Sequence, residues 1–494
     1  MSKATSSKKI IINSIVYSAS GILLKCFSFF LLPLYTAYLT TEDYGITSIA
    51  NSFVNTMVFV VAFSLFSAIM RFYVDLKNDP EKLKRFYGSV SLFTFLSGLI
   101  WAGIFAVFRS PLTQYIFSGV DFYPVILICI IELIFTCQMT IFDDILKSQQ
   151  KAMASSVLSI ISFFLRVGLN IWFVVGMKLG ATGTLLASAI VCTVYSVLFA
   201  FYMVKKRMIE YCLDWTLLKD ALKYSIPIMP HNLATKIALF VSKVLIGGVD
   251  SLAGLGVYSV ATQFGDVADT LQNYIDKAYQ PWLYERLNAN EKDDNNSLRA
   301  IVKVLIGILG LLFVCIALFA QDYILLFIDK SYLNAWKYIP LIVGVYSIKT
   351  IYYFYIEVLF YHKDASKKIF IATLTSSLIN VLLSAILIPK YSVIGSISAD
   401  ALSMLVRVVI VLFFSRKFEN IGLKVSDFVM NFFVIIMFIG VGLVPSFMKN
   451  ISVFSFTNFA YKILVVLLYT GLFLLLNRSQ IKPLIKQIRV GKRG

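Results

Sequence analysis

Asn232, Lys236 and Lys243 lie in the apolar stretch "HNLATKIALFVSK" at spacings i, i+4 and i+11, which is one face of an α-helix. Lys25, Arg166 and Lys349 sit within other apolar runs. A cation at the centre of a membrane helix costs about 2.5–3.5 kcal/mol on insertion scales. Lys25, Arg166, Lys236, Lys243 and Lys349 together would cost roughly 12–18 kcal/mol if they faced lipid. They are therefore expected to face a water-filled space, and the chemistry open to them there is anion binding. At low effective dielectric they would hold a phosphate or diphosphate strongly, Lys as a point charge and Arg bidentately.

The competing reading is neutralisation by acids within the spans: Glu132, Asp266, Asp269, Asp276, Glu357 and Asp400. Asp400 and Arg407, seven apart, are expected to pair. Asp266, Asp269 and Asp276 share one helix face at i, i+3 and i+10, and adjacent carboxylates at membrane depth can carry H+ or Na+. With Glu132 they are the candidates for ion coupling, and pairing with Lys236, Lys243 or Lys277 is the alternative. His231 reads as a core group. No catalytic residue set, metal-ligand pattern, Gly-rich phosphate loop or cofactor signature appears, so the chain does not read as an enzyme. The six cysteines form no CxxC pair and read as small core residues.

The elements that must position these groups are membrane helices. The chain has 494 residues and is 59% hydrophobic, well above soluble domains. Apolar runs long enough to cross a bilayer recur along the whole length. Fourteen spans are predicted, among them 10–38, 45–73, 221–248, 254–283, 368–388 and 393–415, with a final pair at 427–448 and 458–477. Pro33 ends the first, and Pro227 and Pro230 interrupt the start of the seventh. The N-terminal "MSKATSSKK" with the run after it reads as a retained first helix.

The net charge of +18 is placed by topology. Basic residues concentrate on alternate connections: Arg71, Lys77, Lys82, Lys84 and Arg85; Lys205, Lys206, Arg207, Lys219 and Lys223; and the tail from Arg478. This is the positive-inside pattern with both termini cytoplasmic. Anionic membrane lipids, not nucleic acid, account for the charge.

An internal repeat organises the chain. "GITSIA" at 45–50 recurs as "GVYSVA" at 256–261, an offset of 211, and "GTLLAS" at 183 is echoed by "GSISAD" at 395, an offset of 212. Lys25 and Lys236 are also 211 apart, so the repeat pairs the two lysines. The predicted fold is an all-α polytopic membrane protein of about 14 transmembrane helices. It has a six-helix lobe at 1–210, a second at 211–420 and a terminal helix pair with a basic tail at 421–494. An even number of spans per lobe makes the repeat parallel, with substrate passing between the lobes.

"LLPLYTAYLTTEDYGITSIA" (31–50), "KYSIPIMPHNLA" (223–234) and "GLGVYSVATQF" (254–264) resemble bacterial polysaccharide flippases. These are the Wzx-like branch of the multidrug/oligosaccharidyl-lipid/polysaccharide exporter superfamily, and the resemblance covers about the whole chain. It implies alternating access around a cationic central cavity in the bacterial cytoplasmic membrane. The implied substrate is undecaprenyl-diphosphate-linked oligosaccharide, moved from inner to outer leaflet for capsule, O-antigen or other surface polysaccharide, with the polymerase as an implied partner. A flippase for a peptidoglycan or teichoic acid precursor stays open. So does a cation-coupled multidrug exporter, although such exporters handle cations and lysines count against it.

Overall fold

The computed structural model describes residues 16, 19–289, 295–448 and 451–478. The start of the first predicted span, "MSKATSSKK" and the tail beyond Arg478 lie outside them. The chain is a helical multi-pass membrane protein, and it divides into two compact units, Met1–Gly256 and Val257–Gly494.

The first unit holds eight principal helices. They are α1 (Ala19–Tyr38), α2 (Thr41–Val61), α3 (Leu65–Leu76), α4 (Pro80–Val107), α5 (Phe122–Ser148), α6 (Ala152–Gly176), α7 (Gly180–Lys205) and α8 (Trp215–Val249). Their core joins Ile69, Tyr87, Phe142, Met203 and Leu218, one each from α3, α4, α5, α7 and α8. In a bilayer such a core gains little from excluding water, so close packing and interhelical hydrogen bonds hold it. Examples are Ser91 Oγ donating to Gln138 Oε1 at 2.7 Å and Ser196 Oγ to the Phe135 carbonyl at 2.9 Å.

Helix α2 starts with a capping box: Thr40 Oγ1 accepts from the Asp43 amide, and Asp43 Oδ2 accepts from the Thr40 amide. The other Asp43 oxygen accepts from the Ala181 amide at 2.9 Å, which fixes the start of α7 to α2. The predicted span 45–73 is broken in its middle. Phe63 and Ser64 take positive φ, 48° and 53°, and separate α2 from α3. No Pro or Gly marks the break. It persists because the freed groups find partners: Ser97 Oγ on α4 donates to the Val61 carbonyl at 2.7 Å, and the Ser64 amide to the Phe59 carbonyl. Conversely, Pro227 and Pro230 do not interrupt α8, which runs through both over 35 residues.

Asp214 caps α8 by accepting from the Thr216 and Leu217 amides, and the Thr216 hydroxyl adds a bond that holds its carboxyl below the usual carboxylate range. A depressed carboxyl stabilises the fold above the unfolded value and stops doing so as pH falls through the folded one. The wild-type unfolding temperature is therefore expected to fall on acidification below about pH 4 more steeply than that of Asp214→Asn. Parallel curves from scans across that range would rule the cap out.

The first turn of α9 (Leu252–Ala289) still belongs to the first unit. There Gly45 and Gly256, the two glycines matched by the repeat, sit at a helix crossing. A Cβ on Gly45 would lie 1.9 Å from the Leu252 carbonyl oxygen, and one on Gly256 would lie 1.9 Å from that of Thr41. Thr41 and Leu252 are themselves 211 apart, so the crossing maps onto itself under the repeat.

The second unit holds the rest of α9, then α10 (Asn295–Phe327), α11 (Ile339–Tyr361), α12 (Ser366–Phe418), α13 (Val425–Met448) and α14 (Phe456–Leu476). Helix α12 turns back on itself at Ser392, whose φ of 48° and ψ of −128° are non-helical. Asn380 to Asp400, and Ser376 to Arg407, tie its arms antiparallel, so it makes two passes. Among the described residues 12 helices are long and apolar enough to cross a membrane. Counting α12 twice and adding the long, acid-bearing α9 gives the fourteen passes expected.

Helices α13 and α14 pack on α10. At one end Arg299 grips Asp427 through two nitrogens, with Lys303 beside it. At the other, Lys462 of α14 donates to Gln321 Oε1 at 2.9 Å and Asp322 Oδ2 at 2.7 Å, with Ser446 and Asn458 completing the cluster. Lys462 is wholly buried.

Candidate functional site

In the first unit the ammonium groups of the two repeat-paired lysines engage no partner among the described residues. Lys25 lies exposed on α1, which meets α6 through Phe27 against Phe163 and Phe164 and a Ser20–Ser156 hydroxyl bond. Lys236 lies exposed midway along α8, and its backbone carbonyl accepts from Thr56 of α2. Neither lysine makes an ion pair among the described residues. Lys243, two turns further on, is partly buried and has partners of its own.

Arg166, partly buried on α6, and Glu132, buried on α5, belong to a polar cluster with Tyr35 of α1, Asn170 of α6 and Cys192 of α7. The Arg166 guanidinium donates to Cys192 Sγ at 3.8 Å and leaves Nε without a partner. Glu132 is 5% exposed, and its Oε2 has no hydrogen bond. Arg166 is the cation that acts on Glu132 electrostatically, although the two make no direct ion pair. Asn170 Nδ2 donates to the Tyr35 hydroxyl at 3.2 Å beside them. Donor and acceptor valences thus stay open at Arg166 Nε and Glu132 Oε2.

The second unit shows the opposite pattern. Lys349 Nζ lies 2.5 Å from Asp269 Oδ1, which also accepts from the Tyr353 hydroxyl at 3.1 Å. The ammonium sits over the rings of Tyr346 and Tyr353. Lys349 and Asp269, which sequence reading assigned to anion binding and to ion coupling, are thus each other's counter-charge. Asp266, one turn before, is exposed and has partners of its own. Lys277 lies over the Tyr274 ring and acts on Asp276 electrostatically, with no direct ion pair among the described residues.

Asp276 is partly buried next to Gln272, Thr350 and Tyr353, and its Oδ1 has no hydrogen bond. The expected Asp400–Arg407 pair does not form directly. Two helical turns, about 10 Å, separate them, and each is satisfied from the other arm of α12: Asn380 Nδ2 donates to Asp400 at 2.8 Å, and Arg407 Nε to Ser376 Oγ at 2.7 Å.

Three polar residues of α9 join the expected acids at this site. Gln272, Gln280 and Tyr284 share with Asp276 the spacing i, i+4, i+8 and i+12, one ridge of α9. Glu357 of α11, 2% exposed, accepts from Gln280 at 2.6 Å and Tyr284 at 2.9 Å. The ridge spacing is the signal the sequence carries for them. Among the described residues no cluster of His, Cys, Asp or Glu is arranged to hold a metal ion.

Similar proteins share this architecture. A structure of the lipid II flippase MurJ in an inward closed conformation superposes with a TM-score of 0.72 at 18% identity, covering 94% of this chain and all of that one. An inward-facing multidrug resistance MATE family transporter of the MOP superfamily gives 0.58 at 15% identity, over 82% and 94% of the two chains. An uncharacterised membrane protein of Haemophilus influenzae is 22% identical over 400 residues, 78% of this chain and 94% of that protein. These likenesses establish the fold. The family described as polysaccharide biosynthesis protein matches residues 10–287, more than half of the chain, and the protein belongs to that family.

Proposed function

We propose that the protein is a flippase that moves a polyprenyl-diphosphate-linked oligosaccharide, of the undecaprenyl type, from the inner to the outer leaflet of a bacterial cytoplasmic membrane. Both termini would then be cytoplasmic. The observation that carries this reading is the pair Lys25 and Lys236. They are related by the repeat, lie on membrane helices, and neither makes an ion pair among the described residues. Two such ammonium groups suit a mobile counter-charge supplied by the substrate, and a diphosphate carries charge for both. Lys243, two turns from Lys236 on the same helix, and Arg166 of α6 are further candidates for the anion. Lys349, held by Asp269, is a weaker candidate.

The membrane potential favours the direction. Moving one charge across it is worth about 2.3 kcal/mol per 100 mV, so a dianionic head group travels outward downhill when the inside is negative. Family membership favours an oligosaccharide over a drug as cargo. A peptidoglycan or teichoic acid precursor presents the same phosphate chemistry and differs in its glycan.

The test uses the purified full chain in liposomes carrying an undecaprenyl-diphosphate oligosaccharide on one leaflet. Wild type is expected to expose it on the other, and Lys25→Ala and Lys236→Ala to slow that flux at least tenfold with the fold intact. Unchanged flux in both variants would remove the lysines from the mechanism. Absence of wild-type flux, with transport of a lipid-linked peptidoglycan precursor instead, would reassign the cargo.

A further inference from the structure

A seam of polar side chains runs between α9 and α11 in the second unit. Gln272 is 1% exposed. Its Nε2 donates to the Tyr346 carbonyl and to Thr350 Oγ1, each at 2.7 Å. A carbonyl can only accept, so the amide orientation is fixed and Oε1 points the other way. That Oε1 is buried and receives no hydrogen bond. One helical turn along, where i and i+4 side chains are neighbours, Asp276 Oδ1 is also buried and without a donor.

Both side chains line one crevice with Ile275, Leu309, Thr350 and Tyr353, and it is too tight to admit a water molecule. Two acceptors thus share a dry space with nothing to accept from. Each buried acceptor left unsatisfied costs on the order of 1–3 kcal/mol, and an ionised one more. A hydrated cation does not fit, and a bare metal ion would find too few oxygens. A proton answers the geometry: it turns the carboxyl from an acceptor into a donor and gives the Gln272 oxygen its partner in the same step.

The charged and titratable groups around Asp276 supply no other donor. From α9 these are Lys277, held over Tyr274, with Tyr279 and Tyr284; from α11 they are Tyr352, Tyr353 and Glu357. Arg407 of α12 stands over the Tyr352 ring, and α10 brings only Leu309 to the crevice. Glu357 differs from Asp276, since Oε2 already accepts from two neutral donors, Gln280 and Tyr284.

We infer that Asp276 and Gln272 form a proton-binding site in the seam between α9 and α11, with the proton carried by the Asp276 carboxyl. Loss of that proton sets two acceptors against each other and favours parting of the two helices. Proton occupancy is thereby coupled to helix packing in this unit. The coupling to transport rests on the flippase reading; the protonation itself does not.

Infrared spectroscopy of the full chain in lipid nanodiscs separates the two. At neutral pH the wild type is expected to show the C=O stretch of a protonated carboxyl that Asp276→Asn loses and Glu357→Gln retains. Gln272→Leu, which removes the acceptor, is expected to shift that band to higher wavenumber. A wild-type spectrum without the band, or a band unchanged in Asp276→Asn, overturns the site whatever the protein transports. In liposomes, an imposed pH gradient is expected to change wild-type lipid flux several-fold and leave Asp276→Asn indifferent. Wild-type flux that ignores the gradient while the band is present would reduce Asp276 to a structural carboxylic acid and overturn its coupling role. Absence of lipid flux with the band intact would count against the flippase reading alone.

Discussion

Lys462→Met is expected to lower the stability of the protein by about 3–5 kcal/mol, among the largest effects of any single substitution in the second unit. Lys462 is wholly buried and Asp322 is 3% exposed, so their ion pair at 2.7 Å is screened by nothing. Removing the ammonium leaves the Asp322 carboxylate buried without its counter-charge, and its other oxygen, Oδ1, is already without a partner. Gln321 Oε1 also loses a donor, although Ser446 Oγ still supplies one at 2.6 Å. Because the cost lies in the orphaned charge, Lys462→Met combined with Asp322→Leu should recover most of it. Denaturant unfolding of the purified chain, followed by a probe on α14, measures both variants. A single variant within about 1 kcal/mol of wild type would mean that water reaches Asp322 and that the pair does not clamp α14 to α10. A double variant as unstable as the single would place the cost in packing.

Which parts of this molecule the sequence made legible follows from how local each cause is. Membrane helices are announced by their own composition, and so are α12's two passes, because Pro389 and Gly395 mark the turn between two apolar runs. The break between α2 and α3 was not announced. One group that satisfies it is distant in sequence: Ser97, a hydroxyl 36 residues away, caps the Val61 carbonyl. Ion partners failed similarly. Asp269 and Lys349 were each singled out, yet their pairing depends on how α9 lies against α11. Asp400 and Arg407 share a helix face but are satisfied across a hairpin. Lys462 carries the same sequence signal as Lys25, a lysine in an apolar run. The structure separates the two by burial: one is fully enclosed with a carboxylate, the other exposed on its helix.

The repeat read from the sequence leads to the second large effect. Gly45→Ala and Gly256→Ala are each expected to destabilise the protein by an amount in the range of severe overpacking, about 1–3 kcal/mol or more. Each added methyl would meet a backbone carbonyl oxygen at 1.9 Å, where ordinary contact begins at 3.4 Å. A backbone oxygen cannot swing aside as a side chain can, so the helices must part by about 1.5 Å at that point, the difference between those two distances. Gly103→Ala is the control, because nothing lies within 4 Å of its Cβ position, and it should be neutral. The sharper test is the double variant. Gly45 faces Leu252 and Gly256 faces Thr41 across a single crossing, so one methyl that parts the helices makes room for the other. Gly45→Ala/Gly256→Ala should then cost clearly less than the sum of the singles. Unfolding midpoints of the three variants, with lipid flux alongside, decide it. Additive costs would mean that the two contacts yield independently, and the crossing would not be the joint that the repeat makes of it.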